Sequence, residues 1–134
     1  VIWVIDASAL IRLFIPDGPV LAVAETALNS ASRGGGLVLA PQLLLAEAAN
    51  VLLRKERRGE LTPMEVDAIL TDVKELPIRL SDHETLVSPA CELARTYGLT
   101  VYDALYLALA EHSGARLLTC DDKLDKVAGT IGLK

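Results

Sequence analysis

Apolar positions along the chain fall into two kinds of segment. VIWVI at Val1–Ile5, LVLA at Leu37–Ala40, PIRL at Pro77–Leu80 and RLLT at Arg116–Thr119 are short and largely apolar. This is the pattern of strands buried on both faces. Longer stretches with helical spacing lie between them. The first follows Asp6, reaches Ile15 and is broken by Pro16, Asp17 and Gly18. An Ala-rich helix is expected over 19–32, before the turn at Gly34, Gly35 and Gly36. The next begins at Pro41, a residue suited to a first helical turn, and is stopped by Gly59. Thr62 with Glu65 three residues on predicts a capping box for a helix to about Glu75. Ser81 or Asp82 caps a helix that ends at Gly98. Thr100 and Asp103 open the helix carrying ALYLALAEH, which Gly114 ends. Asp121–Val127 reads as a short helix, and TIGL at Thr130–Leu133 is a candidate fifth strand. Strands alternating with helices predict an α/β fold with a mostly parallel sheet covered on both faces. Without a repeat, linker or low-complexity tract, residues 1–134 are expected to form a single domain.

Composition sharpens this. A chain of 134 residues, 51% apolar, buries about two-thirds of its unfolded surface and needs neither metal nor disulfide to fold. Cys91 and Cys120 form no CxxC and no zinc spacing. They are expected to be buried thiols in a reducing, cytoplasmic setting. No apolar run reaches the roughly 18 residues of a membrane helix, and no signal-type core is present. Met64 is the only methionine, so the native start is expected upstream. A mean hydropathy of +0.38 is high for a small monomer and points to a subunit interface. The formal charge of −5 argues against gripping nucleic acid by bulk charge.

The position of the acids changes that argument. Ligands of open parallel sheets bind beyond the carboxyl ends of the strands. Asp6 directly follows VIWVI, and Asp121 follows the strand-end Thr119 by two. Either alone reads as a helix cap. Glu47 sits among Leu43, Leu44, Leu45, Ala46, Ala48 and Ala49, where a carboxylate is costly unless solvated, paired or metal-bound. Asn50 and Arg54 share its helix stripe, opposite Leu44, Ala48, Val51 and Leu52. Asp103 lies in a first helical turn, where acids complement the dipole, and Tyr102 beside it can pack or stack on a base. Four carboxylates on four elements suit a hard cation with oxygen ligands, chiefly Mg²⁺ or Mn²⁺. Without these four, 14 acids face 13 bases, so most of the net charge belongs to the candidate site.

These residues resemble a known family. Asp6-Ala-Ser8 after an apolar first strand resembles the opening of a PIN domain. Glu47 with Asn50 in LLLAEAANVLLRKERRGELT, Asp103 in GLTVYDALYLALAEHSG, and Thr119-Cys120-Asp121 resemble its later motifs, in order and over nearly the whole chain. Among PIN domains the chain looks most like the VapC toxins of toxin–antitoxin pairs. The resemblance implies a three-layer α/β/α sandwich. It also implies a metal-dependent endoribonuclease, homodimeric or a higher homo-oligomer, inhibited by a VapB-like antitoxin. It assigns Asp6, Glu47, Asp103 and Asp121 to catalysis and to one or two Mg²⁺ or Mn²⁺ ions. Ser8, Asn50 and Thr119 are its supporting polar positions. Asp122, next to Asp121, departs from the pattern and leaves open which of the two faces the metal, with the Thr-x-Asp spacing favouring Asp121.

The acids cannot hold an RNA strand alone. Arg54, Lys55, Arg57 and Arg58 form the densest basic run, and Arg54 lies roughly 10 Å along the helix from Glu47. With Arg12 and Lys123 they are candidates for holding RNA or the antitoxin; the alternative is a solvated helix end. His83 and His112 have no partner spacing and are expected to be surface or packing residues. A dehalogenase-like phosphatase would need a second acid where Ser8 stands, and no GxGxxG, Walker A, HExxH or GxSxG occurs. Two alternatives stay open to the sequence: a PIN-fold RNA-processing nuclease outside toxin–antitoxin systems, and a mainly protein-binding PIN module.

Overall fold

A computed structural model describes all residues, 1–134. Four strands, β1 (Ile2–Ile5), β2 (Leu37–Pro41), β3 (Arg79–Ser81) and β4 (Arg116–Leu118), form one sheet in the order β3-β2-β1-β4. Every neighbouring pair is parallel; Val4 aligns with Leu39 on one side and Leu117 on the other. The helices are α1 (Ala7–Arg12), α2 (Ala22–Ser32), α3 (Leu43–Arg57), α4 (Pro63–Glu75), α5 (Val87–Tyr97), α6 (Val101–Ser113) and α7 (Asp122–Thr130). They flank the sheet in the expected three-layer α/β/α arrangement.

The helix with the most apolar sequence takes the most central place. Residues Ala104 to Ala110 of α6 are all buried, as befits a helix apolar around its whole circumference. α6 packs on β1, β2 and β4 and against α5. Val4 and Ile5 of β1, which point to opposite faces of the sheet, are both fully buried. α3 is one-sided instead, burying Leu44, Ala48 and Leu52. The expected capping box of α4 is present in both directions: Glu65 N–H donates to Thr62 Oγ1 at 3.1 Å, and Thr62 N–H to Glu65 Oε1 at 3.0 Å.

Four expectations are corrected. TIGL is not a strand: α7 continues to Thr130, helical bonding carries into Ile131, and Gly132 turns the chain at φ 79°. A single bond to β4 survives there, from Leu117 N–H to the Leu133 carbonyl at 2.7 Å. Pro41 ends β2 rather than opening α3. It lies two residues past the last β1–β2 pair, Val4 with Leu39, so its missing N–H leaves no gap in that ladder. The chain from Asp82 begins as a 3-10 turn, Glu84–Leu86, because Asp82 Oδ1 accepts the Glu84 N–H at 3.1 Å; α5 starts only afterwards. Cys91 and Cys120 are half-buried, free thiols rather than fully buried ones. His112 is exposed, and His83 is half-buried with its Nδ1 unpartnered.

Leu107 in α6 is fully buried. Leu107→Ala is expected to cost about 2–5 kcal/mol in urea unfolding, against about 1 kcal/mol for Thr62→Ala at the exposed cap. Equal losses would contradict the central place of α6.

Candidate active site

From β1 the chain builds outward to β2 and then β3, and β4 returns to the other side of β1. The strand order therefore reverses between β1 and β4. In open parallel sheets the crevice beyond the carboxyl ends at such a reversal is the natural ligand site. Asp6 and Thr119 emerge there side by side, and the Asp6 N–H extends the ladder by bonding the Leu118 carbonyl at 3.1 Å.

Asp6 is 5% exposed, and both oxygens of its carboxylate accept hydrogen bonds. Oδ1 accepts the Ala9 N–H at 2.9 Å, capping α1, and the Ser8 hydroxyl at 2.7 Å. Oδ2 accepts the Thr119 hydroxyl. Each hydroxyl is itself oriented by β4's continuation: Cys120 N–H donates to Ser8 Oγ at 2.9 Å, and Asp121 N–H to Thr119 Oγ1 at 3.0 Å. Each hydroxyl has one proton and gives it to Asp6, so the 3.2 Å approach of Ser8 to Thr119 is packing rather than a further bond. Asp121 in turn caps α7 through Oδ1, which accepts the Leu124 N–H at 2.8 Å, and is exposed. Cap and site roles coincide in both residues: the cap fixes the carboxylate's orientation.

The other two acids come from helices. Asp103 is half-buried in the first turn of α6, its N–H on Thr100 Oγ1 at 3.1 Å. Glu47 is half-buried on α3, and its Oε1 accepts the Tyr106 hydroxyl at 2.5 Å. Charge links all four. Burial raises the Asp6 carboxyl from 3.8 to about 6, against the pull of Thr119, Ala9 and Ser8, and Asp103 pushes it further the same way. Burial also raises Glu47, opposed by the Tyr106 hydroxyl and helped by Asp103. Asp103 is raised by burial and then by Asp121, and eased by Thr100 and Lys123. Asp103 is thus the hub through which the acids feel one another. They do not close into a ready-made ligand cage: no three His, Cys, Asp or Glu side chains group tightly enough for that. The donors are oxygen only, which suits a hard divalent cation.

Residues 3–130 match the PIN domain family. The chain belongs to that family. Among its relatives, Ribonuclease VapC3 of Pyrobaculum aerophilum is 37% identical over 123 residues, covering 90% of both chains. Ribonuclease VapC3 of Mycobacterium tuberculosis is 33% identical over 121 residues, covering 90% of this chain and 83% of that one. A solved P. aerophilum structure aligns with a TM-score of 0.69 over 100% of this chain and 98% of that one, at 24% identity. The M. tuberculosis toxin VapC20, described as cleaving the sarcin–ricin loop, aligns at 0.64 over 93% and 94%, at 16% identity. The two structural likenesses speak to the fold alone.

The remaining expected residues of this PIN domain separate. Asn50 is exposed and makes no hydrogen bond to Glu47. Asn50 shares Glu47's side of α3 as the spacing predicts, but Glu47 bonds Tyr106 on α6 instead. Lys55 leaves the basic run: it is buried and paired with Asp17. Arg54, Arg57 and Arg58 stay exposed, with Arg58 4.0 Å from Glu60. Arg12 donates to the Pro19 carbonyl at 3.3 Å, and its charge reaches Cys120 beside Thr119. Lys123 donates to the Gly98 carbonyl at 2.6 Å and eases Asp103. Asp122 is exposed in the first turn of α7, while Asp121 makes the cap. Tyr106 is the residue that sequence reasoning passed over. Its signal was the only side-chain hydroxyl inside ALYLALA, since a buried tyrosine O–H needs a partner.

Below pH 3.8 Asp6 is protonated both folded and unfolded; above about 6 the folded chain must hold its charge. Stability from this group is therefore full at low pH and lost as pH rises through about 6. Asp6→Asn removes that burden. In cation-free buffer it is expected to stabilise the fold at about pH 7.5 by on the order of 2–3 kcal/mol and to change little near pH 4. Calorimetry at both pH values checks this; a gain of the same size at both would contradict it.

Proposed function

We propose that this chain is a metal-dependent endoribonuclease of the VapC toxin kind, hydrolysing phosphodiester bonds in RNA. One observation carries the reading. A buried carboxylate, Asp6, is oriented by Ser8 and Thr119 at the strand-order reversal and feels the charge of Asp103, which in turn is coupled to Glu47 and Asp121. The relatives named ribonucleases, alike over 90% of the chain, support it.

In this reading Asp6, Asp103 and Asp121 hold one or two Mg²⁺ or Mn²⁺ ions, with Glu47 bound directly or through water. When bound, such ions supply charge stabilisation at the phosphoryl oxygens and a more acidic attacking water. Ser8 and Thr119 favour the ionised form of Asp6 and fix its direction by donating to it. Arg12, Arg54, Arg57 and Arg58 hold the RNA backbone or the tail of a VapB-like antitoxin. Tyr102, 65% exposed next to Asp103, offers a face for an unpaired base. No helix is long and apolar enough to cross a membrane, and the site of action we propose is the cytoplasm. Exposed Val23, Leu37, Leu80 and Val87 support a homodimer or higher homo-oligomer.

The test is cleavage-site mapping on total RNA with wild type and Asp6→Asn side by side. Wild type is expected to cut in Mg²⁺ or Mn²⁺ and to stop in excess EDTA. Asp6→Asn should lose at least about 100-fold while remaining folded. Full activity in that variant, or cleavage indifferent to EDTA, would overturn the assignment. Absence of cleavage by wild type would favour a protein-binding module.

A further inference from the structure

The Glu47–Tyr106 bond is a contact at the candidate site that neither helix capping nor sheet pairing explains, and it joins two helices, α3 and α6. Glu47 belongs to α3, which follows β2 and lies off the strand-order reversal. Its long side chain has three soft torsions and is held in no cap. Tyr106 is the opposite: 1% exposed, inside the buried run Ala104–Ala110 of the most central helix. Its ring is fixed by packing, and only the hydroxyl reaches out, 2.5 Å from Glu47 Oε1. That length is typical of a hydroxyl donating to a carboxylate.

We propose that Tyr106 is a positioning residue that tethers Glu47 through Oε1 to the helix bearing Asp103, leaving Oε2 as the oxygen offered to a cation. This rests on the reading of the four acids as a metal site. Asp103 precedes Tyr106 by three residues, so the two lie on one side of α6, a single turn apart. The spacing of the α3 acid from the α6 acid is then set by one helical turn and one hydrogen bond. Without the bond, Glu47 regains its rotamer freedom, and any ion it helps to hold must pay that entropy on binding. The chemistry of the tether matters as well. A lysine or arginine in this place would also anchor Glu47, but it would carry a positive charge into the acids and compete with the cation. A tyrosine donates one hydrogen bond and no charge.

Tyr106→Phe keeps the ring and removes only the donor. Mn²⁺ titration of the melting temperature reads binding without turnover; RNA cleavage at the same Mn²⁺ concentrations reads function. Half-saturation in Tyr106→Phe is expected to rise about 10-fold or more in both. In a Glu47→Ala background the acceptor is gone, so adding Tyr106→Phe should move half-saturation no further. Wild-type half-saturation in Tyr106→Phe would overturn the tether, as would an equal added loss in the Glu47→Ala background, which marks a purely structural effect. A wild type showing neither a Mn²⁺-dependent melting shift nor cleavage would instead overturn the underlying metal-site reading, and the tether with it.

Discussion

β1 is the strand on which everything else is arranged, because it pairs in parallel with β2 on one side and β4 on the other. In a parallel sheet the crossover helices cover both faces, which explains why a four-residue strand contains the fully buried Val4 and Ile5. The same double pairing makes the strand order reverse at β1 and β4. It thereby brings the residue after Ile5 and the residue after Leu118 to one point, although they are 113 positions apart. Asp6 and Thr119 meet there as a consequence of the fold. The hydrogen bonds from Ser8, Ala9 and Thr119 then compensate the burial of a charge.

Electrostatics and stability pull in opposite directions at this point. The acids grade outward from Asp6, nearly inaccessible, through half-buried Glu47 and Asp103, to exposed Asp121. Burial and mutual repulsion push the inner three toward protonation. A fold that keeps them carries a cost at neutral pH which its own donors offset only in part. That cost is understandable if the charges serve a divalent cation and, through it, a phosphate. The negative formal charge of the chain is then compatible with a nucleic-acid enzyme. With such an ion bound, the substrate's phosphates would meet a local positive centre, while exposed Arg54, Arg57 and Arg58 lie at the far end of α3 from Glu47.

Much of this was legible in the sequence, for identifiable reasons. The four strands show as short apolar runs because both faces of the sheet are covered, and α4 shows in its capping box because both partners are local. Asp6 and Asp121 were visible as strand-end acids for the same local reason. What the sequence obscured depends on tertiary context. TIGL has strand-like composition, but α7's hydrogen bonding runs on into it. Lys55 reads as one of four basic residues until Asp17, 38 positions away, is seen to draw it inward. Asn50 looks like Glu47's companion by helix spacing, yet Glu47's partner lies 59 positions off on α6. Long-range partners of this kind leave no periodic trace.

On the proposed reading, acids from four separate elements serve one or two cations. Anomalous scattering from crystals grown with Mn²⁺ tests it most directly. The account expects a manganese peak beyond the carboxyl ends of β1 and β4, bounded by Asp6, Asp103 and Asp121, with Glu47 at its edge and still bonded to Tyr106. A well-ordered structure with manganese bound elsewhere, and none among these carboxylates, would contradict it.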